Sequence, residues 1–117
     1  MEYPITLHYR PGEGPQEGTP EFDAEMERWR ELNEEMRRAG VLVALSGLRP
    51  EAVTTVRERD GHVSITDGPY AETKEILFSF YILDVADLDA ATAWAAKMPS
   101  AAYGSNEIRP TMGFEVA

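Results

Sequence analysis

The sequence predicts one α+β domain of the ferredoxin-like kind, β-α-β-β-α-β, with a β-hairpin inserted after the second strand. We expect this domain to comprise residues 1–117, and three observations predict its fold. Residues 3–9 alternate between apolar and polar side chains, as in a strand. Residues 22–36 carry apolar side chains at helical spacing. Residues 76–85 are apolar almost without interruption, which is typical of a strand covered on both faces.

The first helix has clear start and stop signals. A Pro/Gly-rich loop at 11–20 precedes it, Thr19 is the expected N-cap, and Pro20 takes the first helical position. Gly40 is the expected C-terminal cap. One apolar stripe runs along the helix and consists of Phe22, Met26, Trp29, Leu32 and Met36.

A second strand and a hairpin follow the first helix. Residues 41–48 form an apolar run that predicts the second strand. Asp60-Gly61 is a strong signal for a two-residue hairpin turn, and it lies between the candidate strands 52–58 and 62–66. We therefore expect an inserted hairpin between the second and third strands of the main sheet.

The last elements are a helix and a closing strand. Asp87 is the expected N-cap of a helix that runs through about Met98 and ends at Pro99. The segment Glu107–Phe114 alternates like a strand, but Pro110 has no amide hydrogen to donate within a sheet. The closing strand is therefore expected at an edge.

The strand at 76–85 also predicts the oligomeric state. In this fold the two predicted helices cover one face of the sheet, yet the strand carries apolar side chains for both faces. A second copy of the chain, packed sheet to sheet, is the simplest cover for the other face. We expect a homodimer.

Composition limits the classes of function. The chain has 11 basic and 21 acidic residues, a formal net charge of −10, and no cysteine. Such a surface repels nucleic acid and anionic membranes, so neither is an expected partner. Nine of the acids lie between residues 13 and 35, where we expect a solvated acidic helix face.

The same composition excludes several kinds of chemistry. Without cysteine there are no disulfides, thiolate metal sites or thiol nucleophiles. No metal-ligand spacing and no nucleotide-binding fingerprint occurs, so we expect neither a metal nor a cofactor. The N-terminus has no apolar signal region, and no apolar run approaches a bilayer span of about 20 residues. We expect a cytoplasmic protein.

The segment 67–75 reads DGPYAETKE. Asp-Gly-Pro forms a turn, but turn chemistry does not require the charged half that follows. The segment resembles the signature of the YCII-related family, in its DGPF branch, and the resemblance extends over roughly residues 1–112. It implies a dimeric α+β barrel. The chain has Phe78-Ser79 where relatives commonly have Gly-Gly, and these larger side chains are expected to narrow any cavity.

The resemblance and the strand pattern together nominate site residues. The resemblance implies a His–Asp pair. It makes His8 a candidate general base and Asp67 its carboxylate partner. The His8 side chain is expected on the open face of the sheet, because it points away from the face to which Ile5 and Leu7 point. The other candidates are ligand-binding residues from the motif and the closing strand: Tyr70, Glu72, Lys74, Glu107 and Arg109. Among them, Arg109 is suited to bind an acidic group of a ligand.

Structural alternatives exist for each of these residues. His8 can be satisfied by water, and Asp67 can be only a turn former. Glu72 and Lys74 can pair with each other at the surface, and Arg109 can pair with Asp67 or Glu72 to hold the motif loop in place.

Two functions from different classes fit these residues. The first is a small-molecule pocket at the dimer, with cofactor-free acid/base catalysis of the lyase, isomerase or cyclase type. The second is a non-catalytic ligand-binding or regulatory module that acts through a protein partner. Because the resemblance includes proteins linked to alternative sigma factors, such a factor is the expected partner of that kind.

Overall fold

A computed structural model describes residues 1–68 and 75–117 of the chain. In chain order its elements are β1 (Glu2–Tyr9), α1 (Pro20–Arg38), β2 (Leu42–Gly47), β3 (Thr54–Arg59), β4 (His62–Asp67), β5 (Ile76–Asp84), α2 (Leu88–Lys97), a 3₁₀ helix (Pro99–Ala102) and β6 (Gly104–Ile108).

The sheet has the strand order of the ferredoxin-like fold. Within the described residues, a four-stranded antiparallel sheet runs β2-β5-β1-β6, and β3 and β4 pair separately as the inserted hairpin. The central strands are β5 and β1, which pair from Glu2 opposite Asp84 to Tyr9 opposite Ile76. The predicted α+β fold is confirmed.

Helix α1 begins and ends at the residues that the sequence indicates. The Thr19 hydroxyl oxygen accepts a hydrogen bond from the Phe22 amide at 3.2 Å. At the other end, Gly40 has a φ of 72°, which glycine adopts without strain. The Val41 amide then donates to the Met36 carbonyl at 3.1 Å, which closes the helix in a Schellman motif.

The core lies between one face of the sheet and α1 and α2. The residues of β1 and β5 that point to this face lie opposite one another in the sheet: Ile5 opposes Tyr81, and Leu7 opposes Ser79. They pack against buried residues of both helices and their flanks. The buried apolar set is Tyr3, Ile5, Leu7, Trp29, Leu32, Met36, Tyr81, Leu83, Val85, Ala91, Ala95 and Met98.

The predicted bounds of the closing strand are wrong. β6 runs from Gly104 to Ile108 rather than from Glu107 to Phe114. It starts earlier because Gly104 has no side chain: a Cβ there would lie 1.9 Å from the His8 carbonyl oxygen on β1. It ends before Pro110, although the Arg109 amide still donates to the Pro4 carbonyl at 3.0 Å. Its predicted edge position is confirmed.

The other face of the sheet carries no helix among the described residues. On β5, Leu77 is 43% exposed there, and Phe80 and Ile82 are half-buried. The hairpin turns at Asp60 and Gly61, which both have positive φ, as the Asp-Gly signal predicts. Its side chains Val56, Val63 and Ile65 are 64–68% exposed.

Among the residues described, neither helix is long and apolar enough to cross a bilayer.

Candidate functional site

A cavity of about 830 Å³ lies on the helix-covered side of the sheet. The N-terminal half of α1 forms one wall, and the ends of β2 and β5 form the opposite wall. Residues 11–17 and 48–51 border it. On α1, Leu32 and Met36 are buried against the sheet, whereas Phe22 is half-buried and Met26 is 37% exposed. The space therefore opens where α1 loses contact with the strands.

Local irregularities in the strands shape the wall of the cavity. β5 has an extra residue relative to β1, since Leu7 opposes Ser79 but His8 opposes Leu77. Phe78 at this bulge lines the cavity together with Ser79. In the bordering loop, Gly14 packs on the Tyr103 ring, where a Cβ would lie 2.5 Å from a ring carbon.

Aromatic rings supply much of the lining. Tyr9 and Phe78 meet edge to face with ring centroids 5.4 Å apart. Trp29 and Tyr81 are stacked with centroids 5.9 Å apart. The aromatic residues around the cavity are Tyr9, Phe22, Trp29, Phe78, Tyr81 and Tyr103.

A buried carboxylate, that of Glu25, also lines the cavity. The residue is 6% exposed although it belongs to the acidic stretch of α1. Its Oε2 accepts hydrogen bonds from the Tyr103 hydroxyl at 2.8 Å and from the Trp29 indole nitrogen at 3.4 Å. Its Oε1 lies 3.8 Å from Arg28 Nη2 and accepts no hydrogen bond from the described residues. One carboxylate oxygen is thus held in place, and the other has capacity for a further donor.

Two tyrosines of the cavity keep their protons to high pH. Burial, and then the hydrogen bond to Glu25, raises the pKa of the Tyr103 phenol above its usual value. Burial likewise raises the pKa of Tyr81 to about 12, against the opposing effect of its hydrogen bond to Asn33. Both phenols therefore remain hydrogen-bond donors at neutral pH.

Some of the site residues predicted from the sequence meet on the opposite, open face of the sheet. His8 Nε2 lies 3.0 Å from Thr6 Oγ1 and 3.5 Å from Glu107 Oε2, with 19% of the His8 side chain exposed. Arg109 Nη2 lies 3.0 Å from the same Glu107 oxygen. Glu107 therefore joins His8 to Arg109, and we call His8, Glu107 and Arg109 the sheet-face cluster.

The remaining predicted residues are placed differently. Asp67 ends β4, is exposed, and opposes Thr54 in the hairpin rather than a strand of the main sheet. Within residues 1–68 and 75–117, no hydrogen bond or ion pair joins Asp67 to His8. Tyr70, Glu72 and Lys74 lie outside the described residues. In the same described part of the chain, no group of three acidic or His side chains could hold a metal ion.

Glu25 is a site residue that the sequence patterns do not predict. The expectation of a solvated acidic face over residues 13–35 is wrong for Glu25, because its side chain is buried. A signal was present: Glu25 is four residues before Trp29 and three after Phe22, which puts it beside the apolar stripe. Tyr103 gave no such signal, since its contact with Glu25 spans 78 residues of sequence.

Comparison with known proteins identifies the family of this chain. The sequence model of the YCII-related domain matches residues 1–115. An uncharacterised protein of Rhizobium meliloti (strain 1021) is 43% identical over 75 residues, which is 62% of this chain and 60% of that protein. The match thus spans about three fifths of this relative's length. The chain belongs to the YCII-related family, and the resemblance carried by DGPYAETKE is confirmed.

The raised pKa of Tyr81 gives a testable pH dependence. Because the folded protein holds this proton more tightly than the unfolded chain, the free energy of unfolding falls as pH rises from about 10 to about 12. In Tyr81→Phe we expect a shallower fall over the same range, measured by urea unfolding at several pH values. If the free energy of unfolding fell equally steeply with pH in both proteins, the Tyr81 phenol would have the same pKa in the folded protein as in the unfolded chain.

Proposed function

We propose that this protein binds a small organic molecule in the cavity between α1 and the sheet and transfers a proton on it without a cofactor. The observation that supports this most directly is the buried carboxylate of Glu25 on the wall of a cavity of about 830 Å³. Pockets for small organic ligands have this size and a similar lining, with a few polar groups among apolar ones.

Packing arguments favour a ligand site over a defect of the core. The space is open to solvent beside the exposed residues 11–13 and 16–17, and it is far larger than the water-sized voids found in protein interiors. A carboxylate at such a place also adds little stability compared with an apolar side chain of similar size, because its removal from water is costly. The combination of open space and a partly satisfied carboxylate is what a binding site requires.

The chemistry of the cavity suits proton transfer. Glu25 is held by Tyr103 and Trp29 through Oε2, so Oε1 is the oxygen that can accept a proton from a bound molecule. The Tyr103 phenol keeps its proton at neutral pH and therefore continues to hold Glu25 Oε2 in place. Removal of a proton from carbon next to a carbonyl is a step common to lyases, isomerases and cyclases.

The sheet-face cluster is a second candidate for the same kind of chemistry. It is supported by the orientation of His8, which Glu107 contacts at 3.5 Å while Arg109 holds that carboxylate. In this alternative His8 and Asp67 are the catalytic pair. The motif residues Tyr70, Glu72 and Lys74 join Glu107 and Arg109 as ligand contacts.

A homodimer would enclose the sheet-face cluster. It is supported by the apolar side chains on the open face, where Leu77 is 43% exposed and Phe80 and Ile82 are half-buried. The hairpin adds the exposed side chains of Val56, Val63 and Ile65. Burial of such surface is favourable by about 25 cal/mol per Å². A second copy of the chain is the partner that offers the same apolar face in return.

The dimer is tested by a charge placed on that face. The wild-type protein should sediment at twice the 13.1 kDa chain mass at micromolar concentration. Ile82→Glu should sediment as a monomer with unchanged circular dichroism, because Ile82 is not fully buried within one chain. Met112→Glu, at a side chain exposed in the single chain, is the control and should remain dimeric. A monomeric wild-type protein would exclude this arrangement.

The proposed function is tested with 5-nitrobenzisoxazole. A base removes the ring C–H proton of this probe, the N–O bond breaks, and a coloured cyanophenolate forms. We expect saturable turnover by the wild-type protein, and about 10²-fold lower kcat/KM in Glu25→Gln, which keeps the shape of the side chain but removes its basicity. Met26→Trp should lower turnover at least tenfold by filling the cavity mouth.

Matched variants make the result specific. Met112→Trp adds the same side chain at an exposed position and should react like the wild type. Retained turnover in Glu25→Gln together with its loss in His8→Asn would contradict the cavity proposal and favour the sheet-face cluster. Absence of turnover and of probe binding in the wild type would reject both sites and favour the regulatory module with a protein partner such as a sigma factor.

A further inference from the structure

The charge around the cavity is predominantly negative. Four acidic residues line it, while Arg49 is the single basic residue among the described lining residues. The acids are Glu13 and Glu17 in the loop before α1, Glu25 on α1, and Glu51 after β2. Glu13, Glu17 and Glu51 are exposed at the border, whereas Glu25 is buried. A cation that approaches the cavity is therefore attracted at its mouth and again inside.

The aromatic lining points to the same class of ligand. The face of an aromatic ring carries negative potential, and Trp attracts cations more strongly than Tyr or Phe does. Trp29 and Tyr81 stack on each other, and Tyr9, Phe78 and Tyr103 complete the aromatic walls. Rings of this kind also bind an apolar ligand body through their buried area.

Glu25 supplies a counter-charge at short range. Its Oε2 is occupied by Tyr103 and Trp29, and its Oε1 accepts no hydrogen bond from the described residues. Arg28, at 3.8 Å, is 63% exposed and therefore screened by water. A protonated amine can donate to Oε1 and form a charge-assisted hydrogen bond. A ligand carboxylate at the same place would meet a like charge with little solvent to screen it.

We infer that the ligand of this cavity is an organic cation, a protonated primary or secondary amine carried on an apolar or aromatic body. This inference rests on the proposed function, since it names the ligand class of the same cavity. In this arrangement the amine donates to one lone pair of Glu25 Oε1, the second lone pair of that oxygen is left for the transferred proton, and the apolar body packs on the ring of Trp29. It differs from the sheet-face cluster, where Arg109 suits an acidic group.

The test compares three probes that share one naphthalene ring and differ in charge. They are 2-naphthylmethylammonium, the neutral 2-naphthylmethanol and the anionic 2-naphthoate, each titrated into the full chain by calorimetry at about pH 7. We expect the ammonium to bind about tenfold more tightly than the alcohol, and the carboxylate at least tenfold more weakly than the alcohol.

Variants assign the preference to Glu25. Glu25→Gln should reduce the affinity for the ammonium to that for the alcohol, and change the affinity for the alcohol less than about threefold. Glu27→Gln, on the exposed side of the same helix, is the matched control and should bind all three probes like the wild type. If Glu25→Gln fails to fold, the double variant Glu13→Gln and Glu17→Gln provides the test, with a loss of about threefold for the ammonium alone.

The outcomes separate this inference from the proposed function. Equal affinities for the ammonium and the alcohol, both lost in Met26→Trp, would overturn the cation preference and leave the cavity as the ligand site. Tighter binding of the carboxylate would overturn it as well. No binding of any probe, or binding that Met26→Trp does not weaken, would overturn the cavity as a ligand site and the cation preference with it.

Discussion

The packing of α1 and α2 on one face of the β2-β5-β1-β6 sheet is the constraint from which the rest of the structure follows. It confines the apolar core to one side, where Ile5, Leu7 and Leu83 lie fully buried. It also leaves the second face of β5 with half-buried Phe80 and Ile82. The same arrangement thus separates the molecule into a cavity side and a sheet-face side, which differ in their chemistry.

The cavity exists because α1 packs closely on the sheet over only part of its length. Its C-terminal half is anchored by Leu32 and Met36, while its N-terminal half stands over the bulged end of β5. Glu25 lies in that half and reaches Tyr103, which directly precedes β6. The polar centre of the cavity therefore depends on residues that the sheet brings together from opposite ends of the chain.

The sequence predicts the fold better than the site. Caps such as Thr19 and Gly40, and the Asp60-Gly61 turn, are local signals, so the elements and their order could be predicted from short segments. The position of β6 could not, because it depends on how closely Gly104 approaches β1. Glu25 was misread for a similar reason: whether a helical carboxylate is solvated or buried is decided by tertiary packing.

A crystal structure of the protein with bound 2-naphthylmethylammonium shows whether the cavity holds the cation. We expect the ammonium nitrogen within about 3 Å of Glu25 Oε1, with the naphthalene ring packed between α1 and the sheet. Ordered ligand at His8 and Arg109 on the open face, with the cavity holding only water, would contradict this expectation.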